Sequence, residues 1–326
     1  MQLLTHLALF LLAAAVTWFF GGLLVGSIDR IAKRFKASGF TVAFFVLGFL
    51  TSISELSVAI NSTLDGIPQV SAGNLVGASF VILLFIIPLL AVLGRGIDLR
   101  HTLGKYTLPF ALLVIGLPSL FALDGDVRPA EGLLMFLLYG TLLYFMRREE
   151  GGSKRQLASA ALAIEKSIRR VRPVEDILKI FVGASFIFLA GNLLVGEAAF
   201  LATYFGVPAS IIGLLLLSIG TNVPELVVAV RSILRHRNDI AFGNYMGSAA
   251  ANTGIFAVLA LLNGTFAVER SEFLITFILT AGGLSLFWRF SRSKHDISRQ
   301  EGLALLAVYV IFLIAQVATF VRLAVD

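Results

Sequence analysis

Thr51-x-x-x-Glu55-Leu56 recurs as Thr221-x-x-x-Glu225-Leu226, and one shift of 170 residues also aligns Val58, Ala59, Ser62, Leu64, Gly73, Asn74 and Gly77 with Val228, Ala229, Ser232, Leu234, Gly243, Asn244 and Gly247. The same register carries Gly21-x-Leu-Leu-Val-Gly26 onto Gly191-x-Leu-Leu-Val-Gly196, and Glu131-Gly132-Leu133 with Tyr139 onto Glu301-Gly302-Leu303 with Tyr309. The second half is a copy of the first, so any fold must place two equivalent units together.

Those units belong in a membrane. The 326 residues are 58% hydrophobic and 14% charged, with a mean hydropathy of +0.91, against roughly 25% charged residues in soluble domains. Without cysteine there is no disulfide frame, thiolate nucleophile or Cys-ligated metal. The net charge of +6 resides in short loops between apolar runs, which is a topology signal and argues against a nucleic-acid partner.

Measured against the ~20 residues needed to cross a bilayer, the apolar runs predict ten spans: 4–26, 40–64, 70–93, 106–123, 131–146, 177–203, 208–233, 240–262, 273–288 and 303–321. The fifth and ninth are short and are expected to extend into their flanks. The first contains Ala13, Ala14 and Ala15 but no Lys or Arg before it; it reads as a transmembrane helix rather than a cleaved signal.

Basic residues alternate between loops. The first loop has Arg30, Lys33, Arg34 and Lys36, the second none, the third Arg95, Arg100 and Lys105, and the fourth only Arg128. The central loop holds eight from Arg147 to Arg172, the sixth none, the seventh Arg231, Arg235 and Arg237, the eighth only Arg270, and the ninth Arg289, Arg292, Lys294 and Arg299. Because cytoplasmic loops collect Lys and Arg, both termini are expected outside, in a multi-pass plasma membrane protein.

Five spans per half is an odd number, so the second copy enters the membrane in the opposite sense. The expected fold is an all-α integral membrane protein of ten helices arranged as two inverted five-helix repeats, over 1–146 and 177–326, joined by a basic cytoplasmic linker over 147–176. Such repeats are a construction principle of secondary transporters, whose sites lie at the midplane between halves. The linker is either a solvated connection or, through Leu157, Ala161, Ile164, Ile168 and Val171 at near-helical spacing, a segment lying on the anionic leaflet.

Glu55 and Glu225 are the acids deepest in the predicted spans, where a carboxylate costs ~2.5–3.5 kcal/mol and calls for a partner. Neither span holds a Lys, Arg or His at that depth. Thr51 and Thr221, four residues earlier, share a helical face with them. Ser52 and Asn222 add oxygens, and Gly220 and Pro224 can loosen the helix and free carbonyls. Ser79 in one half, with Ser248 and Asn252 in the other, can complete an oxygen cage of the hard type that suits Ca²⁺. Read alone, an intramembrane Glu can instead be a helix-packing residue bonded to Asn, with Thr and Ser tying helices together. The glycines at i and i+4 permit close helix approach, and Asn74 and Asn244 are expected to satisfy buried backbone.

Gly220-Thr-Asn-Val-Pro-Glu-Leu226 with Gly243-Asn-Tyr-Met-Gly-Ser248 resembles the second alpha-repeat of the cation/calcium exchanger superfamily, and Thr51-Ser-Ile-Ser-Glu-Leu56 with Gly73-Asn-Leu-Val-Gly77 resembles the first. The resemblance implies that the two acids form a central Ca²⁺ site, that the Thr and Ser/Asn positions line cation sites, and that Ca²⁺ exchanges for Na⁺ by alternating access without a bound cofactor. The partners implied are Ca²⁺, a monovalent cation and the bilayer; no obligatory protein partner is evident. Leu50 and Ser54 stand where the family has Gly and Pro, so the first motif is expected to be less broken than the second. Ala78, Ile82 and Ala249 stand where it has oxygen-bearing side chains, and Asn222 in place of Ser is similar to the proton/calcium branch.

Three other readings share these residues: a proton/calcium exchanger, a channel or sensor without obligatory coupling, and a transport-inactive homologue. An intramembrane enzyme is disfavoured, since His6, His101, His236 and His295 lie near span ends or loops and neither His-Glu-x-x-His nor Gly-x-Ser-x-Gly occurs.

Overall fold

The computed structural model describes residues 2–32, 44–45, 48–94, 96–98, 106–149, 173–222, 225–226, 238–293 and 296–325. Most are helical. The first half contributes α1 (Gln2–Ala32), α2 (Gly48–Thr51), α3 (Ile53–Leu64), α4 (Pro68–Val81), which runs through a π turn at Ile82–Ile86 into α5 (Ile87–Leu93), α6 (Thr107–Phe121) and α7 (Pro129–Glu149). The second contributes α8 (Pro173–Phe205), α9 (Ala209–Ile212), a π turn at Gly213–Leu217, α10 (Ser218–Thr221), α11 (Asn238–Asn263), α12 (Arg270–Ser293) and α13 (Arg299–Val325).

Among the described residues eight helices are long and apolar enough to cross a membrane, and Ala209–Thr221 is a shorter apolar segment. Ten continuous spans were expected; the difference falls on the two motif segments. The second predicted span is interrupted between α2 and α3, and much of the seventh, 223–224 and 227–233, lies outside the described residues. As expected, the fifth and ninth spans extend into their flanks, and most of the predicted linker, with its apolar face, lies outside the described residues, α7 and α8 taking its two ends.

Polarity is distributed for lipid. Leu4, Phe19, Leu133, Leu137 and Ile314 face outward, whereas Thr51, Asn74, Glu225, Asn244 and Gln316 are buried. Apolar outside with polar groups in the interior is the arrangement an ionisable side chain requires in a bilayer.

Equivalent residues swap partners. Strand β1 (Ile97–Asp98) pairs with β4 (Asp296–Ile297), and β2 (Asp126–Val127) pairs with β3 (Phe266–Ala267), both antiparallel. The 170-residue shift carries β2 onto β4 and brings β1 to 267–268, one residue beyond β3, so the ribbons exchange. The repeated Glu131 and Glu301 are explained locally as N3 residues that reach back to the N-cap N–H, and with Ser298 the second completes a capping box, which satisfies otherwise orphaned donors. Glu131 Oε2 accepts from the Arg128 N–H at 2.8 Å, and Glu301 Oε2 from the Ser298 N–H at 2.8 Å.

Glycine decides where helices meet. A Cβ on Gly73 would fall on the Ser210 carbonyl, one on Gly213 on the Val70 carbonyl, and one on Gly247 on the Phe44 carbonyl. Gly77 lies equally close to Leu214 and Ser218. These contacts, with a Cβ on Gly48 falling 2.6 Å from the Gly247 main chain, place α4 against α9 and α10, and α11 against α2, at backbone distance, as small residues at membrane interfaces allow. Outside this centre α1 packs along α8 through Phe10, Ala13, Leu194 and Ala198. His6 Nδ1 lies 2.7 Å from Glu197 Oε2, with the imidazole stacked on Phe200 at 3.4 Å.

Candidate cation site

Both motif helices break at the same repeat position. Ser52 has φ −79° and ψ 7°, and Asn222 has φ −89° and ψ 8°, so each leaves helical geometry one residue after its Thr. At these two residues the first motif is broken as the second is, and its turn forms without Gly or Pro; Pro224 lies outside the described residues. Ser54, in the position where the resemblance calls for Pro, supplies a substitute. Its hydroxyl donates to Glu55 Oε2 at 2.7 Å and lies 3.2 Å from the Thr51 carbonyl and 3.4 Å from the Thr221 carbonyl. One hydroxyl proton serves one acceptor at a time, so the shortest contact takes it and both carbonyls keep acceptor capacity at the breaks.

The structure draws the expected residues inward. Glu55, Glu225, Thr221, Asn222 and Ser248 are at most 0% exposed, Ser52 and Asn252 1%, Thr51 4% and Ser79 7%. Ser52 Oγ lies 3.1 Å from Ser248 Oγ, whose hydroxyl reaches Glu225 Oε1 at 3.3 Å. Asn252 Nδ2 donates to Ser79 Oγ at 3.3 Å, one turn of α11 beyond Ser248. Asn222 Nδ2 donates to the Ser218 carbonyl at 2.7 Å, leaving its oxygen for the interior.

Asn74 and Asn244 do something other than satisfy backbone. Thr221 Oγ1 donates to Asn74 Oδ1 at 3.3 Å, and Thr51 Oγ1 to Asn244 Oδ1 at 3.4 Å. Each Thr is thus held by the Asn of the opposite repeat. Intramembrane hydrogen bonds of this kind contribute ~0.6 kcal/mol on average. A double-mutant cycle of Thr51→Val with Asn244→Ala, read by thermal unfolding in detergent, is expected to show coupling of about that size; strictly additive losses would mean the pair does not form.

Four buried acceptors in this region have no donor: Glu55 Oε1, Glu225 Oε2, Asn222 Oδ1 and Asn252 Oδ1. Leaving such an acceptor unmet costs ~1–3 kcal/mol, more for a carboxylate, and a cation is a partner that acceptors without donors can take. Two carboxylates plus hydroxyl, amide and main-chain oxygens can supply the six to eight hard ligands that Ca²⁺ takes. Among the described residues no cluster of three or more His, Cys, Asp and Glu occurs, which leaves neutral oxygens as the further ligands. Ile82 is fully buried at the position equivalent to Asn252, so the first half offers no amide there and contributes only the Ser79 hydroxyl.

Several polar residues escaped the sequence reading. Ser54 precedes Glu55, and adjacent positions on a regular helix do not face each other, so helical spacing gave no signal for their contact. Tyr245, whose hydroxyl donates to the Glu225 carbonyl at 3.3 Å, gave no signal beyond lying inside the glycine motif. Glu272 is 0% exposed and accepts from Ser210 Oγ at 2.7 Å, and Glu197 is also buried. Both lie near span ends, where a carboxylate reads as a solvated terminus, so the buried acids are more numerous than expected.

A set of membrane helices with two acids from equivalent positions buried at its centre defines a polytopic protein built around a polar interior. A family profile described as sodium/calcium exchanger protein matches the chain twice, over residues 5–147 and 176–318. The chain belongs to the sodium/calcium exchanger family, and is accordingly a membrane protein of the cation/Ca²⁺ exchange class rather than an enzyme. It is 26% identical over 330 residues to the sodium/calcium exchanger MaX1 of Methanosarcina acetivorans, covering 89% of this chain and 92% of that one. It is also 26% identical over 241 residues to the inner membrane protein YrbG of Escherichia coli, covering 73% of each. Its fold matches the sodium-calcium exchanger NCX_Mj with a TM-score of 0.64 at 21% identity, over 95% of this chain and 98% of that one.

Proposed function

We propose that this protein exchanges Ca²⁺ for Na⁺ across the plasma membrane by alternating access, with Glu55 and Glu225 as the shared carboxylates of the transported cations. The observation that carries the reading is the set of donorless oxygens on Glu55, Glu225, Asn222 and Asn252, all buried at the meeting of the two repeats. Thr51, Thr221, Ser52, Ser248 and Ser79 add neutral oxygens around them. Two structurally equivalent repeats fit the exchange of partners between β1–β4 and β2–β3 and between Thr51–Asn244 and Thr221–Asn74; ten inverted helices with both termini outside rest on the odd span count and the loop charges.

Coupling follows from electrostatics. Two desolvated like charges are unfavourable together at low dielectric, so the centre crosses between its two openings only with cations bound. Ca²⁺ neutralises both acids at once. Na⁺ neutralises them singly and can use a subset of the same oxygens. The MaX1 and NCX_Mj relatives carry the sodium/calcium exchanger name, which favours Na⁺.

A second reading, H⁺ as the counter-ion, is favoured by Ala78, Ile82 and Ala249, which remove oxygens from the centre; a proton needs a carboxylate but no cage. The test is ⁴⁵Ca²⁺ uptake into proteoliposomes loaded with Na⁺, beside sodium-free vesicles with an acidic interior. The proposal expects uptake only with internal Na⁺. Uptake only with the pH gradient establishes the proton reading, uptake independent of both gradients a channel, and no Ca²⁺ movement in either refutes Ca²⁺ exchange.

Asn252→Ala removes a neutral ligand while keeping both acids. With ~1.5–3 kcal/mol for an interaction with a charged group, half-saturating Ca²⁺ in that assay should rise about tenfold or more, with normal assembly. An unchanged value would place Asn252 outside the site.

A further inference from the structure

A groove of about 430 Å³ runs between α6 and α12, lined among others by Leu112, Gly116 and Leu117 of α6 and Ala281, Leu284 and Trp288 of α12. Its origin is the choice of small side chains where two membrane helices face each other. Gly116 lets α6 approach, a Cβ there meeting Leu284 Cδ1 at 3.2 Å. Ala281 and Ser285 leave the space that a Leu would fill. The α6 lining runs from Pro109 to Leu120, which at 1.5 Å per residue is about 16 Å. That matches one leaflet of a ~30 Å hydrocarbon core.

The two ends of the groove differ. At one end stands Trp288, half out of the protein at 39% exposed, with the Arg292 guanidinium 5.3 Å from its ring centre. Arg289 and Arg292 are both exposed there, three residues apart and therefore neighbours on one helical face. Trp and basic side chains mark the level of lipid headgroups, and clustered basic residues on the cytoplasmic side attract anionic lipid. The other end is closed by Thr280, whose hydroxyl is buried without a partner, and by Ser119. Behind them a cavity with room for about one water reaches Ser79.

From this we infer a phospholipid site: an acyl chain lies in the α6/α12 groove, and an anionic headgroup rests on Arg292 and Arg289 at its Trp288 end. Lipid tails are as apolar as the groove, so the hydrophobic effect does not select the occupant. Filling comes from dispersion contacts that an empty groove would forfeit. Selection comes from charge: with ~1 kcal/mol per basic residue near the membrane surface, losing Arg292 alone should change the preference for anionic over zwitterionic lipid roughly fivefold.

Native mass spectrometry of full-length protein taken from equimolar phosphatidylglycerol and phosphatidylcholine bilayers tests this. The wild type should retain one phospholipid per chain, phosphatidylglycerol in preference. Arg292→Gln should keep the lipid but lower the preference about fivefold, whereas Ala281→Trp and Ser285→Phe, which fill the groove from two positions, should each abolish retention in a protein that still elutes as a folded species. Equal retention of both lipids by the wild type overturns the proposal without requiring a variant. So does retention that survives both filling substitutions, or a change in oligomeric state on filling with lipid retention unaltered, which would make the groove an interface between copies.

Discussion

Replacing Glu225 with Gln is expected to abolish exchange and to leave the protein folded, with apo stability equal to or above the wild type. The substitution preserves shape and removes one of two acids buried at the centre, where like charges are unfavourable together at low dielectric. Removing one partner of a buried charged arrangement costs ~3–5 kcal/mol of interaction with the other, here the bound cation, or a loss of Ca²⁺ affinity of roughly 10²- to 10⁴-fold. Wild-type protein should gain thermal stability with Ca²⁺, by ~2.7 kcal/mol at one hundred times the dissociation constant, and Glu225→Gln should not. Glu55→Gln should behave alike, since Ser54 donates equally well to an amide oxygen. Measurement is by melting in detergent with and without Ca²⁺, alongside flux. Retained Ca²⁺ stabilisation in both variants would contradict the assignment of the acids.

The second large effect concerns packing. Gly73→Ala places a methyl on the Ser210 carbonyl, and backbone cannot swing aside as a side chain can. Overpacking of this kind costs ~1–3 kcal/mol and occasionally more; Gly73→Val should leave little folded protein. Gly140 and Gly196 are also helical glycines, but a Cβ on either meets nothing within 4 Å. Ala there should be neutral or stabilising by ~0.5–1 kcal/mol, from helix propensity alone. Melting temperatures of Gly73→Ala, Gly140→Ala and Gly196→Ala should therefore differ in sign of change. Three similar values would mean that α4 and α9 do not meet at backbone distance.

How far the fold is written in the sequence differs between its parts. The repeat was legible because ten identities in one register, from Thr51/Thr221 to Gly77/Gly247, have no local cause. Most spans were legible because a bilayer requires long apolar runs. The interruption at Ser52 was not, since it arises without Gly or Pro. The exchange of Thr51 and Thr221 between Asn244 and Asn74 was hidden for a related reason: it depends on which helices touch, and that is set by glycines whose partners lie far along the chain. The acids of the centre were visible because a carboxylate in an apolar run stands out, while Glu272 at a helix start did not, although Ser210 from another segment buries it just as completely.

The claim that the two acids together hold the transported divalent ion is tested most directly by diffraction from crystals soaked in Sr²⁺, an anomalous scatterer that substitutes for Ca²⁺. The account predicts a peak between Glu55 and Glu225, within ligand distance of both, that disappears in Glu225→Gln crystals. A peak elsewhere, or one that persists unchanged without the Glu225 charge, would contradict it.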